Sequence, residues 1–233
     1  MKRILCFALL CALCLNVIAC DKKEKKNNET EPVTTQEATT SWLEAFDQIP
    51  VVDEAFDDTM VSLLDYRGIV VLSEPDTSYT DEALFEIVWS KLVEETVIFK
   101  VPKDISLSVN ARMERFVEEH KNNAEQVYKM DFVSYLKGNG YTEEEFYADV
   151  EDYKHTFIKQ QMIVYAIAKE EGILATDDEM KKALADYMKT YNVTQESELS
   201  SHMGQYYLAD IEFEIIMSKV KDKILYFAKL NLK

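Results

Sequence analysis

Two threonines, each followed three residues later by a glutamate, set the centre of this chain: Thr142-Glu-Glu-Glu145 and Thr176-Asp-Asp-Glu179. Both have the form of a capping box. The threonine hydroxyl and the glutamate carboxylate each satisfy a backbone N–H that a helix start leaves unpaired. After Thr142, apolar residues recur at Phe146, Val150, Tyr153, Phe157, Val164 and Ala168, with a second stripe at Ile158, Met162 and Tyr165. These are spacings of helix faces. Gly172 supplies the left-handed residue that ends such a helix. After Thr176 the apolar face is Met180, Ala183, Leu184, Tyr187, Met188 and Tyr191. The pattern predicts a helix about 45 Å long at 1.5 Å per residue, then a second helix turning back towards Asn192. A helix of that length outruns an ordinary globular core, so the hairpin is expected to project as an arm.

From about Thr194 to Leu230, the residues Leu199, Met203, Tyr206, Asp210, Phe213, Met217, Val220, Ile224 and Phe227 alternate spacings of four and three. That is a coiled-coil seam with Asp210 as its exception, widened in its first half by Tyr207, Leu208, Ile211 and Ile215. Further helices are expected over about 80–96, 106–127 and 131–137, with Val101-Pro102 as a break. One short strand is expected within 67–73, in the β-branched run Gly68-Ile-Val-Val-Leu72. Ser41 to Pro50 is a short amphipathic piece with Trp42, Leu43 and Phe46, and 51–63 is acidic without a clear pattern. The fold class is mainly α: an extended bundle of long antiparallel helices with projecting arms.

At the N-terminus, Lys2 and Arg3 precede an apolar run from Ile4 to Leu15, too short for a permanent membrane span. It ends at Val17-Ile18-Ala19-Cys20, which resembles the lipobox of bacterial lipoprotein signal peptides. The resemblance implies cleavage before Cys20 and a diacylglyceryl group on its thiol. All four cysteines (Cys6, Cys11, Cys14, Cys20) lie here, so no disulfide framework is expected in the processed chain. Asp21 to about Thr40, opening with Lys22-Lys-Glu-Lys-Lys26, has the composition of a disordered tether with a reach of roughly 25 Å. The expected organisation is a signal peptide over 1–19 and a lipid-anchored tether over 20–40. An N-terminal segment follows over 41–79, then a helical body over 80–233, held at the outer face of the plasma membrane.

Charge and motifs narrow the function. The balance of 26 basic and 43 acidic residues gives −17, which argues against nucleic acid and against membrane contact beyond the anchor. Outside the signal region there is no thiol nucleophile, no Gly-x-Ser-x-Gly and no phosphate-binding glycine loop, and the chain holds only five glycines. No catalytic residue, nucleotide or cofactor is therefore expected. His155 follows Asp152 by three residues, but carboxylate-bridged metal sites need two such pairs on facing helices. His155 and His202 each follow a glutamate by one turn, Glu151 and Glu198, which reads as a surface contact. No metal site is expected.

Several segments in order carry a family resemblance. Ile167-Ala-Lys-Glu-Glu-Gly-Ile173 with Thr176-Asp-Asp-Glu179 resembles the C-terminal domain of trigger factor, a bacterial chaperone. Tyr135-Leu136, Gly140-Tyr-Thr-Glu-Glu-Glu-Phe146, Lys219-Val220 with Leu225, Val101-Pro102, and Asp65-Tyr-Arg-Gly-Ile69 before Thr80-Asp-Glu82 fit the same pattern. The resemblance spans about residues 63–232. The family's ribosome-docking loop has no counterpart here. Only one helix is expected between Tyr66-Arg-Gly68 and Val101-Pro102, where the family carries its prolyl-isomerase domain.

The resemblance implies a holdase: an arm-bearing body, like that of SurA-type periplasmic chaperones, which shields apolar segments of unfolded or newly exported chains without chemistry. On the final helix, Tyr207, Ile211 and Ile215 lie beside the seam, and at least part of this stripe is expected to face the space between the arms and contact such chains. A second reading stays open, a helical lipoprotein module that docks one folded envelope partner. Suppression of aggregation of an unrelated unfolded protein separates the two.

Overall fold

The computed structural model describes residues 46–72 and 78–233; the lipobox with Cys20, the tether, Trp42 and Leu43 lie outside them. Seven α-helices follow in order: α1 (Asp81–Glu95), α2 (Lys103–Asn122), α3 (Phe132–Gly138), α4 (Glu143–Glu171), α5 (Asp177–Tyr191), α6 (Leu199–Met203) and α7 (Tyr207–Leu230). The fold is mainly α. Both capping boxes form: Thr142 and Glu145 cap α4 reciprocally, and Thr176 and Glu179 cap α5. Gly172 takes φ 65°, and Ile173 N–H returns to the Ala168 carbonyl at 2.8 Å, a Schellman closure. Asn192 ends α5 in the same left-handed conformation.

The expected strand within 67–73 is not a strand. Tyr66–Gly68 is a 3-10 turn capped by Asp65, and Val71 makes only an isolated parallel bridge to Leu232. Ile69 and Val71 are buried while Val70 and Leu72 are exposed, so the alternation is real but has no neighbouring ladder to join. The true strands are two residues each. β1 (Val51–Val52) pairs in parallel with β4 (Val101–Pro102), and β2 (Val61–Ser62) pairs antiparallel with β3 (Val97–Ile98). Pairs so short leave no periodicity to read.

The single long helix expected from Thr194 to Leu230 is also divided. A 3-10 turn (Glu196–Glu198) leads into α6, and Gly204 at φ 89°, ψ 173° separates it from α7. That backbone region is essentially glycine's alone. Seam members Phe213, Val220 and Ile224 are buried beyond the break.

Helix α7 is central, touching α1, α4 and α5. Lys219 pairs with Glu179 and Tyr187 with Glu214, so α5 and α7 run antiparallel. Phe157 and Tyr165 meet Phe213, while Glu171 meets Lys223, so α4 and α7 run in the same sense. The main core joins α1, α2, α4 and α7 with the N-terminal segment, around Met60, Tyr66, Leu92, Val109, Met162, Ile163, Ile167 and Val220. Two smaller clusters sit apart from it. One is Phe116, Val117, Leu136 and Phe146, at α2, α3 and α4; the other is Leu199, Met203 and Ile211, at α6 and α7.

Candidate functional site

The end of the molecule formed by α5, α6 and α7 holds the three residues expected to line an open wall. Ile211 is 0% exposed and packs with Leu199 and Met203. Tyr207 and Ile215 are half-buried against the same cluster, beneath Met180, Ala183, Leu184, Tyr187 and Met188 of α5. The expectation that Ile211 faces open space is corrected. α7 lies between α5 on one side and α1 and α4 on the other, so it needs apolar residues on both sides. From Phe213 onward the coiled-coil seam joins the main core with α4 and α1, and the second stripe meets α5. Burial raises the Tyr207 phenol, whose hydroxyl donates to Glu196 at 3.3 Å.

Polar contacts lock this end. Lys219 Nζ donates to Glu179 at 2.6 Å and to the Leu174 carbonyl at 2.8 Å. Tyr187 donates to Glu214. Burial pushes the Glu214 carboxyl up, against the pull of that hydrogen bond and of Arg112.

Exposed apolar surface gathers instead at the other small cluster. α2 passes through a π-helical turn at Asn123–Val127, Lys129 takes φ 54°, and Asp131 caps α3 through Ser134 N–H at 2.9 Å. Phe116, Phe132 and Phe146 hold the inside through ring contacts of 5.4 to 6.2 Å. Val127 (65% exposed), Tyr128, Met130, Val133 (55% exposed) and Tyr147 stand outward. A signal was present in the sequence. Val127, Tyr128, Met130, Phe132 and Val133 crowd the passage from the end of α2 into the start of α3, and polar residues are the norm at such a turn. Apolar surface concentrated in this way marks a contact region.

A different chemistry appears where Asp47 meets α4. The His155 Nε2 lies 3.2 Å from Asp47 Oδ1 and 3.3 Å from Glu151 Oε1. His155 is buried rather than a surface contact, and Phe46 stacks on its ring at 4.8 Å. These three side chains are the group, among the described residues, whose ligand atoms converge closely enough to hold a metal ion.

The model of the bacterial trigger factor protein C-terminus matches residues 73–226. The chain belongs to this family. Trigger factor of Caldicellulosiruptor saccharolyticus is 26% identical over 159 residues, covering 68% of this chain and 35% of that protein. Trigger factor of Fusobacterium nucleatum is 29% identical over 145 residues, covering 60% of this chain and 32% of that protein. The chain thus spans about a third of the length of these relatives. No solved structure matches it. Within the matched region lie α1 to α6 and nearly all of α7, including both small clusters.

Proposed function

We propose that this protein is a holdase that binds unfolded or newly exported polypeptides, anchored through Cys20 at the outer face of the plasma membrane. The match to the trigger factor C-terminus over 73–226 carries the reading. Physical support comes from the outward residues around α3. Val127, Tyr128, Met130 and Val133 offer an adaptable apolar contact next to a small separate core, suited to clients of varied sequence. Burying a client's apolar segment there removes it from water without nucleotide or bond chemistry.

The anchor rests on Val17-Ile-Ala-Cys20; no helix among the described residues is long and apolar enough to cross a membrane. Among the described residues between Gly68 and Val101 the named elements are α1 and β3, and prolyl isomerisation is not part of the proposed activity.

Purified protein at equimolar ratio should suppress aggregation of an unrelated unfolded protein. The double variant Val127→Lys/Val133→Lys should lose most of that suppression with an unchanged Tm, since charges at exposed sites cost the fold little. Absence of suppression by the wild type would refute the holdase. Loss of Tm alongside suppression would remove the α3 surface from the proposal. Replacing Cys20 with alanine should abolish lipid labelling, and continued labelling would refute the anchor.

A further inference from the structure

The convergence on His155 goes beyond any chaperone role. His155 and Glu151 lie one turn apart on α4, so both point from the same face. Asp47 reaches them from the N-terminal segment, more than a hundred residues earlier in the chain. Around a divalent ion with bonds of about 2.1 Å, neighbouring ligand atoms stand roughly 3.0 to 3.4 Å apart. The two distances from Nε2, 3.2 and 3.3 Å, fall in that range, and all three ligand atoms lie within 4.8 Å of one another.

A hydrogen bond explains the arrangement less well. A neutral imidazole has one N–H to give at Nε2, and two carboxylates facing it repel each other. A divalent cation satisfies all three groups. The imidazole is held by burial and by the Phe46 ring, whereas Asp47 and Glu151 are 67% and 51% exposed at their side chains and free to close in. Lys154 occupies the same Glu151 oxygen, and an arriving ion takes its place.

We propose that Asp47, Glu151 and His155 form a binding site for a late first-row divalent cation, zinc above all, that clasps the N-terminal segment to α4. An imidazole among two carboxylates suits zinc, cobalt or nickel, while magnesium and calcium prefer all-oxygen sites. The His155 Nδ1 is buried without a hydrogen-bond partner. Metal-bound histidines usually donate that N–H to a neighbour, and lack of the partner typically weakens binding 10- to 100-fold. The affinity should therefore be micromolar rather than nanomolar.

The test is calorimetric titration of zinc into the full-length chain in detergent, with all four cysteines alkylated so that residues 1–20 cannot compete. One zinc per chain with micromolar Kd is expected. Asp47→Asn, at an exposed position that leaves the fold intact, should weaken it at least tenfold, and so should His155→Gln. Cobalt should give a visible spectrum that His155→Gln removes, and magnesium should not displace zinc. No saturable zinc binding by the wild type, or an unchanged affinity in Asp47→Asn, would overturn the site. The second result would assign the zinc to scattered surface carboxylates and histidines.

Discussion

Arg112 of α2 donates through Nη2 to Asp210 of α7 at 2.6 Å, and the pair is largely shut off from water. Arg115 stands behind it, 3.8 Å from the other Asp210 oxygen. The Arg112 guanidinium also lies over the Phe157 ring at 4.6 Å. The one polar interruption of the α7 seam is thus the point at which α2, α4 and α7 are tied together. In a coiled coil, a polar residue at a seam position sets register at some cost in stability. Asp210 does so here by demanding two arginines from a single neighbouring helix.

Removing only one partner should be costly. Asp210→Ala leaves Arg112 in the interior without its carboxylate, and breaking a buried pair in this way typically costs about 3 kcal/mol or more. The double variant Arg112→Met/Asp210→Leu should recover most of the loss, because the desolvation penalty disappears with both charges. Urea denaturation of the single and double variants checks this. Equal destabilisation in both would show that the packing of the side chains, rather than their charge, matters.

Gly204 leaves room for Arg115 of the same group. A Cβ built there would stand 2.4 Å from Arg115 Nη1, at a backbone φ of 89°. Gly204→Ala should therefore destabilise by roughly 1–3 kcal/mol from backbone strain, and Arg115 would have to move from the vicinity of Asp210. Gly138→Ala, where nothing lies within 4 Å and φ is not positive, is the matched control and should change Tm little. Similar Tm shifts for the two variants would contradict this account.

Ile211 tests how α7 uses its two apolar faces. A glutamate at this fully buried position, among Leu199 and Met203, has no partner and should cost several kcal/mol. Ile211→Glu should lower Tm sharply, while Leu208→Glu, at an exposed neighbour on α7, should not. An Ile211→Glu protein with normal helicity and Tm would place Ile211 back on an open surface.

What was legible in the sequence divides along this line. Capping boxes and Gly172 act within a few residues, and local chemistry alone decides them; α4 and α5 begin and end where those signals stand. The seam of α7 was visible because periodicity needs only the chain itself. Which helix covers which stripe is not local. Tyr207, Ile211 and Ile215 look dispensable until α5 is laid over them. The break at Gly204 was hidden because Leu199 and Met203 keep the seam spacing on its far side yet pack with Ile211 in a separate cluster. The meeting of Asp47 with His155 had no trace in spacing, since the two residues stand more than a hundred positions apart in the chain. The outward residues near α3 were readable as an excess of apolar side chains across the turn from α2 into α3, a composition signal masked by the expectation that the preceding helix ran regularly through Val127.

Glu171 gives the fold a defined acid response. It closes α4 and accepts from Tyr66 at 2.5 Å and from Arg67 at 2.6 Å, while Lys223 pairs with it at 2.7 Å. Burial opposes its ionisation, but the hydrogen bonds from Lys223, Tyr66 and Arg67 outweigh that and hold the carboxyl at about 2, against an ordinary 4.5. Glu179, hydrogen-bonded to Lys219 and to Thr176, is also held at about 2. A carboxyl depressed in the folded state leaves the unfolded chain binding more protons between those two values, so stability rises with pH across that window. The contribution is complete above about pH 4.5 and disappears as pH falls towards 2. Glu214 is shifted in the opposite direction, so the informative measurement is a difference between variants. Thermal melts of wild type and Glu171→Gln, taken between pH 6 and pH 2.5, should show the wild type losing Tm more steeply below pH 4.5. The variant, already short of the Lys223 and Arg67 ion pairs, should start lower and fall along a shallower line. Parallel lines would mean that Glu171 titrates alike in the folded and unfolded chains, and that its three partners do not hold its proton off.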